Sequence, residues 1–284
     1  MPPATRNGPA ASSARWTKTV FVLHGQQIVP MKGDRAQADL ELLLRMVDVD
    51  GSLVPPGEFI PGAERFHLMG RVDRWVVRHA IAWLSGLLEH GDAPTAAINL
   101  SGQSVGDRSF HSWAIDIFAN AGPAVCERLI LEVTETAVVT NLADAAKFVG
   151  RARDLGLRTA LDDFGAGASS FGYLKKLPLD YLKIDGQFVR DVLTDPLDAA
   201  AVRCFIDVAK VVGLKTIAEF VENEAVFQHL ADLNVDFAQG FHIHRPGPLP
   251  KVWPPADSGS KQAQATQGRV PSGLSLPARA IIAA

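Results

Sequence analysis

The chain has 284 residues, 28 basic and 31 acidic side chains, a formal net charge of −3, and 47% hydrophobic against 21% charged residues. That profile excludes a disordered or fibrous protein and suits one large α/β domain or two ordinary ones. The slightly acidic balance argues against a DNA or RNA polymer as partner, and no apolar run approaches the ~18–20 residues of a membrane helix.

The opening residues, Met1-Pro2-Pro3-Ala4-Thr5-Arg6, lead into no apolar signal core, so the expected location is cytoplasmic. Residues 1–16, rich in Ala, Pro and Ser, read as a flexible tail. Residues 17–250 read as one barrel domain, and 251–284 as a low-complexity tail or linker with Ile281-Ile282 as a candidate docking patch. Cys126 and Cys204 show no CxxC spacing and read as structural thiols of a reducing compartment.

Between the tails, short apolar and often β-branched runs recur: Val20–Val29, Leu40–Met46, Ala96–Leu100, Arg128–Val133, Arg158–Leu161, Tyr181–Ile184, Leu214–Ala218 and Val235–Ala238. Such runs suit strands covered on both faces. Amphipathic stretches alternate with them at Arg71–Leu88, Arg108–Asn120, Leu142–Leu155, Pro196–Val212 and Glu222–Leu233. Strand–helix alternation implies a parallel sheet, and eight strands closing on themselves give an α/β barrel of the TIM type, (β/α)8. Only about ten residues separate Val29 from Leu40, too few for a parallel crossover, so the first strand is expected to run antiparallel. An open doubly wound sheet is the rival architecture.

Polar groups recur at or near the C-terminal ends of these strands. Glu41 and Arg45 lie in the second run, Asn99 in the third and Glu132 in the fourth. Asp162 and Asp163 follow the fifth, Lys183 and Asp185 bracket the end of the sixth, and Glu219 and Gln239 follow the seventh and eighth. One acid after a strand is ordinarily a helix cap or a solvated loop residue; a series of them in a parallel barrel converges on one mouth. Carboxylates gathered there repel one another and are costly to desolvate, and a divalent cation is the simplest compensation. With oxygen donors throughout, Mg²⁺ or Mn²⁺ fits better than Zn²⁺. His242-Ile243-His244 reads as ordinary polar residues rather than a metal site.

Seven motifs in order resemble the EAL domain, a bacterial phosphodiesterase domain specific for cyclic di-GMP. They are Glu41-Leu42-Leu43, Ile98-Asn99-Leu100-Ser101, Leu131-Glu132-Val133-Thr134-Glu135, Leu161-Asp162-Asp163-Phe164-Gly165, Asp180-Tyr181-Leu182-Lys183-Ile184-Asp185, Ala218-Glu219-Phe220-Val221-Glu222 and Ala238-Gln239-Gly240-Phe241. The resemblance runs from about Phe21 to Pro246 and implies a modified barrel with an antiparallel first strand, and a metal-dependent hydrolase that opens cyclic di-GMP to linear 5′-pGpG in signal transduction. Glu41, Asn99, Glu132 and Asp162 would hold a first Mg²⁺ or Mn²⁺, with Asp162 and Asp163 sharing in a second. Lys183, with Asp185 beside it, would orient or help deprotonate the attacking water, and Glu219 would act on it. Gln26, Arg45 and Gln239 would contact substrate. The loop Asp163–Ser170, steadied by Glu135 and Glu222, would couple metal binding to a homodimer, and a sensory or cyclase domain commonly lies upstream.

Several positions depart from the family's usual pattern. Leu42 replaces the Ala of the name motif, Gln27 a Pro, Ala166 and Ala168 a Thr and a Tyr, Phe220 a Gly, and Asn223 a Thr. Leu42 is expected to point away from Glu41, and the Phe220 ring to crowd the loop that anchors Glu219 and Glu222. A non-catalytic cyclic di-GMP receptor is the alternative reading; an enolase-like lyase is a more distant one.

Overall fold

The computed structural model describes residues 20–33, 38–91, 93–167 and 171–253, together with the strand residues Ala280–Ile281. The expected N-terminal tail, most of the C-terminal one, Ile282, and residues 168–170 lie outside the described residues.

Eight strands close on themselves: β1 (Val20–Pro30), β2 (Asp39–Val47), β4 (Ala96–Leu100), β5 (Leu129–Thr134), β6 (Arg158–Phe164), β7 (Tyr181–Ile184), β8 (Lys215–Ala218) and β9 (Phe237–Ala238). The two-residue β3 (Leu53–Val54) extends β2 outside the ring. From β2 through β9 each ring neighbour is parallel to the next. The exception is β1, antiparallel to both β2 and β9. The tight connection forces this reversal, because too few residues lie between β1 and β2 for a crossover helix. The ring closure also rules out the open doubly wound sheet. Ala280–Ile281 pairs with the start of β1.

Helices cover the outside: α1 (Pro56–Arg65), α2 (Met69–His90), α3 (Arg108–Ala121), α4 (Leu142–Asp154), α5 (Pro196–Val212) and α6 (Glu224–Asp232). The first was not anticipated from sequence. Pro56, Gly57, Pro61 and Gly62 disguise it, although Pro56 occupies the first turn, where a missing N–H costs nothing. Phe59 and Ala63 are its buried residues, and Phe59 meets Phe21 at 5.7 Å between ring centroids. The large core lies between strands and helices and contains Leu42, Ile98, Leu131, Leu161, Leu182 and Ala218. Leu42 thus faces away from Glu41, as strand alternation requires.

A second, smaller cluster fills the barrel itself: Ile28, Ala97, Ile130, Ala160, Tyr181 and Ile217, with Phe237 against it. Below it lies a polar layer missed in the sequence. The Arg158 guanidinium donates to Tyr181 Oη at 2.8 Å and to Thr95 Oγ1 at 2.7 Å. Asp39 belongs to the same end of the barrel; burial raises its carboxyl above the usual range, against the pull of Thr95 and Arg158. The apolar layer is therefore a sealed floor rather than a pore.

Both cysteines are free, Cys126 buried and Cys204 exposed. Among the described residues, no helix is long and apolar enough to cross a membrane.

One backbone contact locks the last strand to the loop after β8. Val221 N–H donates to Gln239 O at 3.0 Å, and a Cβ on Gly240 would stand 2.1 Å from Val221 O. Neither backbone can yield without the other. Gly240→Ala is expected to destabilise the fold by about 2–3 kcal/mol, measured as a lowered urea midpoint at unchanged slope; a midpoint equal to wild type would show that this approach is not tight.

Candidate active site

The site is built by a two-residue step. Along each parallel strand, the residue two positions past the interior apolar residue faces the same way, one layer higher. Ala97 is followed by Asn99, Ile130 by Glu132, Ala160 by Asp162, Tyr181 by Lys183, Ile217 by Glu219 and Phe237 by Gln239. On antiparallel β1 the order reverses, so Gln26 stands above Ile28, and it pairs across to Glu41. A ring of polar side chains thus rests on a dry floor.

Lys183 is the hub of this ring. It is fully buried, and its Nζ lies 2.8 Å from Glu219 Oε1, 3.0 Å from Asp162 Oδ1, 3.2 Å from Glu132 Oε2 and 3.6 Å from Glu41 Oε2. Amides complete the ring. Asn99 Nδ2 donates to Glu41 Oε1 at 2.7 Å, and Gln239 Nε2 to Glu41 Oε2 at 2.6 Å and Gln26 Oε1 at 3.1 Å. Gln26 Nε2 donates to the His244 carbonyl at 2.9 Å.

Asp163 joins the ring through an irregularity. Adjacent strand residues should face opposite sides, yet the β6–β7 register slips between Leu161 and Phe164, and Asp163 has φ of 55°. This bulge, with a left-handed conformation that Asp tolerates better than most residues, turns both carboxylates to the mouth. Oxygen atoms of Asp162, Asp163 and Glu219 all lie within 4.8 Å of one another.

The remaining predicted residues sit around this centre. Arg45, half-buried, is four residue pairs further along the β1–β2 ladder from Glu41, and its Nη1 donates to Leu44 O at 2.8 Å. Asp185 spends Oδ1 capping the short helix Gly186–Val189, through Gln187 N–H at 2.7 Å. Glu135, buried, accepts the backbone N–H groups of Gly165 at 3.2 Å and Gly167 at 3.3 Å. Glu222 is exposed and lines the cleft of about 290 Å³ above Glu41, together with Glu219 and Gln239.

Burial and crowding set the protonation states. Burial alone would depress Lys183, but its carboxylate neighbours hold it well above the usual lysine range. For Glu41 burial is outweighed by Lys183 and the Gln239 and Asn99 hydrogen bonds, and its carboxyl is lowered. Glu132 is pushed well up, by burial first and then by the other acids, although Lys183 opposes this. Glu219 is raised to about 8, chiefly by burial, and Asp163 to about 6, by burial and then by Asp162 and Asp185. One ammonium does not balance five carboxyl groups.

That imbalance tests the fit of divalent cations. The donors are oxygens throughout, which is what hard cations prefer. Glu132 Oε1 is buried without a hydrogen-bond partner, and Asp162 Oδ1 meets Lys183 only as an ion pair. Buried oxygens left unpaired are costly, so the residues present suit Mg²⁺ or Mn²⁺.

The EAL domain profile matches residues 18–246. Cyclic di-GMP phosphodiesterase PdeB of Shewanella oneidensis is 38% identical over 232 residues, 81% of this chain and 27% of that protein. The chain belongs to the EAL domain family. Cyclic di-GMP phosphodiesterase PdeF of Escherichia coli K12 is 34% identical over 229 residues, 81% of this chain and 30% of that one. The chain thus spans less than a third of the length of either curated relative. Among solved structures, the PaMucR phosphodiesterase in complex with c-di-GMP aligns at TM-score 0.75 and 32% identity, covering 81% of this chain and 93% of that one. The FimX EAL domain from Pseudomonas aeruginosa bound to c-di-GMP aligns at 0.72 and 26%, covering 80% and 90%.

Within the EAL frame, the Phe220 ring does not crowd its loop. The residue takes φ of 53°, the conformation the family's usual Gly adopts freely, at a cost of roughly 1–2 kcal/mol. Its ring lies in the notch left by Gly186, where a Cβ would come within 2.1 Å of Phe220 Cδ2. Sequence reasoning missed two supports of the EAL site. Tyr173 Oη donates to Glu135 Oε1 at 2.6 Å, fixing the carboxylate that holds the loop. Asp73, buried on α2, accepts Ser101 N–H at 3.0 Å and Oγ–H at 2.6 Å, which pins the end of β4 just past Asn99; burial raises it to about 6. A carboxylate amid Val72, Val76 and Val77 on an apolar helix face was the available signal.

A carboxyl raised on folding stabilises fully below its unfolded pKa, and that contribution is lost as pH rises through the folded value. For Asp163 and Glu219 the loss runs from about pH 4 through about 6 and about 8 respectively. In EDTA, the melting temperature of wild type relative to Glu219→Gln should therefore fall between pH 5 and 9, read by calorimetric melts in matched buffers. A difference that stays constant over that range would contradict the assignment.

Proposed function

We propose that this EAL domain is a divalent-metal-dependent cyclic di-GMP phosphodiesterase, yielding linear 5′-pGpG and lowering this second messenger in bacterial signalling. The observation that carries the reading is the buried Lys183 ringed by Glu41, Glu132, Asp162 and Glu219, with the exposed Asp163 offering an oxygen within 4.8 Å of Asp162 and Glu219 at the mouth. The names of the relatives and the dinucleotide in the aligned structures support the same substrate.

Hydrolysis adds water across one phosphorus–O3′ bond; the freed O3′ takes a proton and the phosphate stays on the 5′ oxygen. Glu41, Asn99, Glu132 and Asp162 would hold one cation, and Asp162 with Asp163 a second. Bound Mg²⁺ or Mn²⁺ neutralises phosphate oxygens and makes a water nucleophilic near neutral pH. Glu219, 2.8 Å from Lys183 Nζ and beside Asp162 and Asp163, would take the proton of the attacking water. Lys183 sets a buried positive charge within reach of the attacking oxygen, with Asp185 holding the adjoining corner. Arg45 at the rim would pair with a phosphate, and Gln26 and Gln239 would orient the substrate beside Glu41.

The barrel, 17–250, is the proposed catalytic unit. That the matched segment is under a third of either relative's length supports a sensory or cyclase domain upstream in the whole protein, and the proposed compartment is cytoplasmic. For a homodimer through the 163–170 loop region, with Glu135 and Glu222 steadying the loop, the support is an apolar groove of about 700 Å³. Phe171, Val208 and Val211 line it, and Phe171 is linked to the loop's base by the Phe164 ring at 5.5 Å.

With Mg²⁺ or Mn²⁺, chromatography of the reaction should show pGpG. EDTA, Glu41→Ala and Lys183→Ala should each lower turnover at least about 1,000-fold, as expected for groups acting together at the reacting centre. A protein that binds cyclic di-GMP but cleaves it with neither metal is instead a receptor.

A further inference from the structure

Two aromatic rings stand open on the wall of the same cleft. Phe220 is 47% exposed and Phe241 51%, whereas most large apolar side chains of the barrel are buried. Each ring carries a guanidinium at 4.4 Å, Arg190 over Phe220 and Arg245 over Phe241. Phe241 belongs to a motif shared with the family. Phe220 does not: it replaces a Gly, in a backbone conformation that disfavours any side chain. Its backbone follows Glu219 directly, and its ring rests on Gly186, beside Asp185. A strained residue at an active-site rim, with an exposed ring held in one orientation, is a feature that invites a functional explanation.

Resting on the reading of the cleft as a cyclic di-GMP site, we propose that Phe220 is a specificity residue added to it: its open face stacks one guanine base of the dinucleotide. Three features fit the ring to this use. It is fixed before substrate arrives, by Gly186 beneath and Arg190 on one face, so little side-chain freedom is lost on binding. The cleft wall it forms adjoins Glu219 and Glu222, so a base lying against it leaves its phosphate next to the acid ring. A flat π-surface recognises a base but does nothing for a free phosphate.

The test compares wild type with Phe220→Gly, which restores the residue that fits the backbone, and Phe220→Trp, which keeps a ring. Steady-state kinetics on cyclic di-GMP are measured together with inhibition by GMP and by inorganic phosphate. Loss of the stack should raise KM, and Ki for GMP, about 5- to 100-fold. kcat should stay within about twofold, phosphate inhibition should be unchanged, and Phe220→Trp should behave as wild type. Unchanged KM in Phe220→Gly, or a Trp variant as weak as the Gly one, would overturn the proposal. So would parallel losses in kcat and in phosphate inhibition, which would mark a ring that merely positions Glu219. If wild type binds the dinucleotide without cleaving it, the hydrolase reading fails and the Kd of the same variants decides the ring. A wild type with no affinity for cyclic di-GMP sinks both.

Discussion

A single ammonium group, sealed inside the barrel and shared by four carboxylates, governs the rest of this structure. Lys183 is fully buried, and the surrounding Glu219, Asp162, Glu132 and Glu41 hold it charged against the cost of burial. Removing one partner from a buried ion pair typically costs about 3–5 kcal/mol, because the other charge is left unpaired. Here the deficit is already on the other side. Glu132 and Glu219 are pushed up by burial first, and then by neighbouring acids that one cation cannot neutralise. The layer is poorly optimised for stability on its own and well matched to added positive charge, the usual condition of a site that binds hard cations and anionic substrate together.

The barrel makes this concentration of charge possible. Its floor of Ile28, Ala97, Ile130, Ala160, Tyr181 and Ile217 keeps water from reaching the ring from below, and Arg158 with Tyr181 and Thr95 closes the far end. The helices contribute little chemistry but fix the strand ends. Asp73 on α2 holds Ser101, and Glu135 with Tyr173 ties the chain after β6. Both anchors are buried carboxylates gripping backbone N–H groups, strong charge-assisted bonds that keep the strand ends in place around the site.

The β8 corner shows how a family scaffold absorbs a large substitution. A ring placed where Gly is usual is accommodated by a left-handed backbone and by the missing side chain of Gly186, so Glu219 keeps its 2.8 Å contact with Lys183. The position changes the cleft wall without touching the ring of acids. In this EAL domain, the cleft wall and the ring of acids are thus built by adjacent residues.

Much was legible along the chain because strands alternate. Short apolar runs followed by Glu132, Asp162, Lys183 and Glu219 mark both the barrel and its mouth, and the ten-residue gap before Leu40 marks the reversed first strand. Local propensity and period need no partner to be read. Other features existed only once the ring closed. Asp163 reaches the cluster through a register slip between β6 and β7, which depends on the neighbouring strand. Which carboxyls are raised depends first on how deeply the closed ring buries them, and then on their distances to Lys183 and to one another. The polar layer below Tyr181, the grip of Tyr173 on Glu135 and the seat of Phe220 on Gly186 each join residues far apart in the chain. Composition and periodicity carry which faces are buried; only packing decides which buried groups meet.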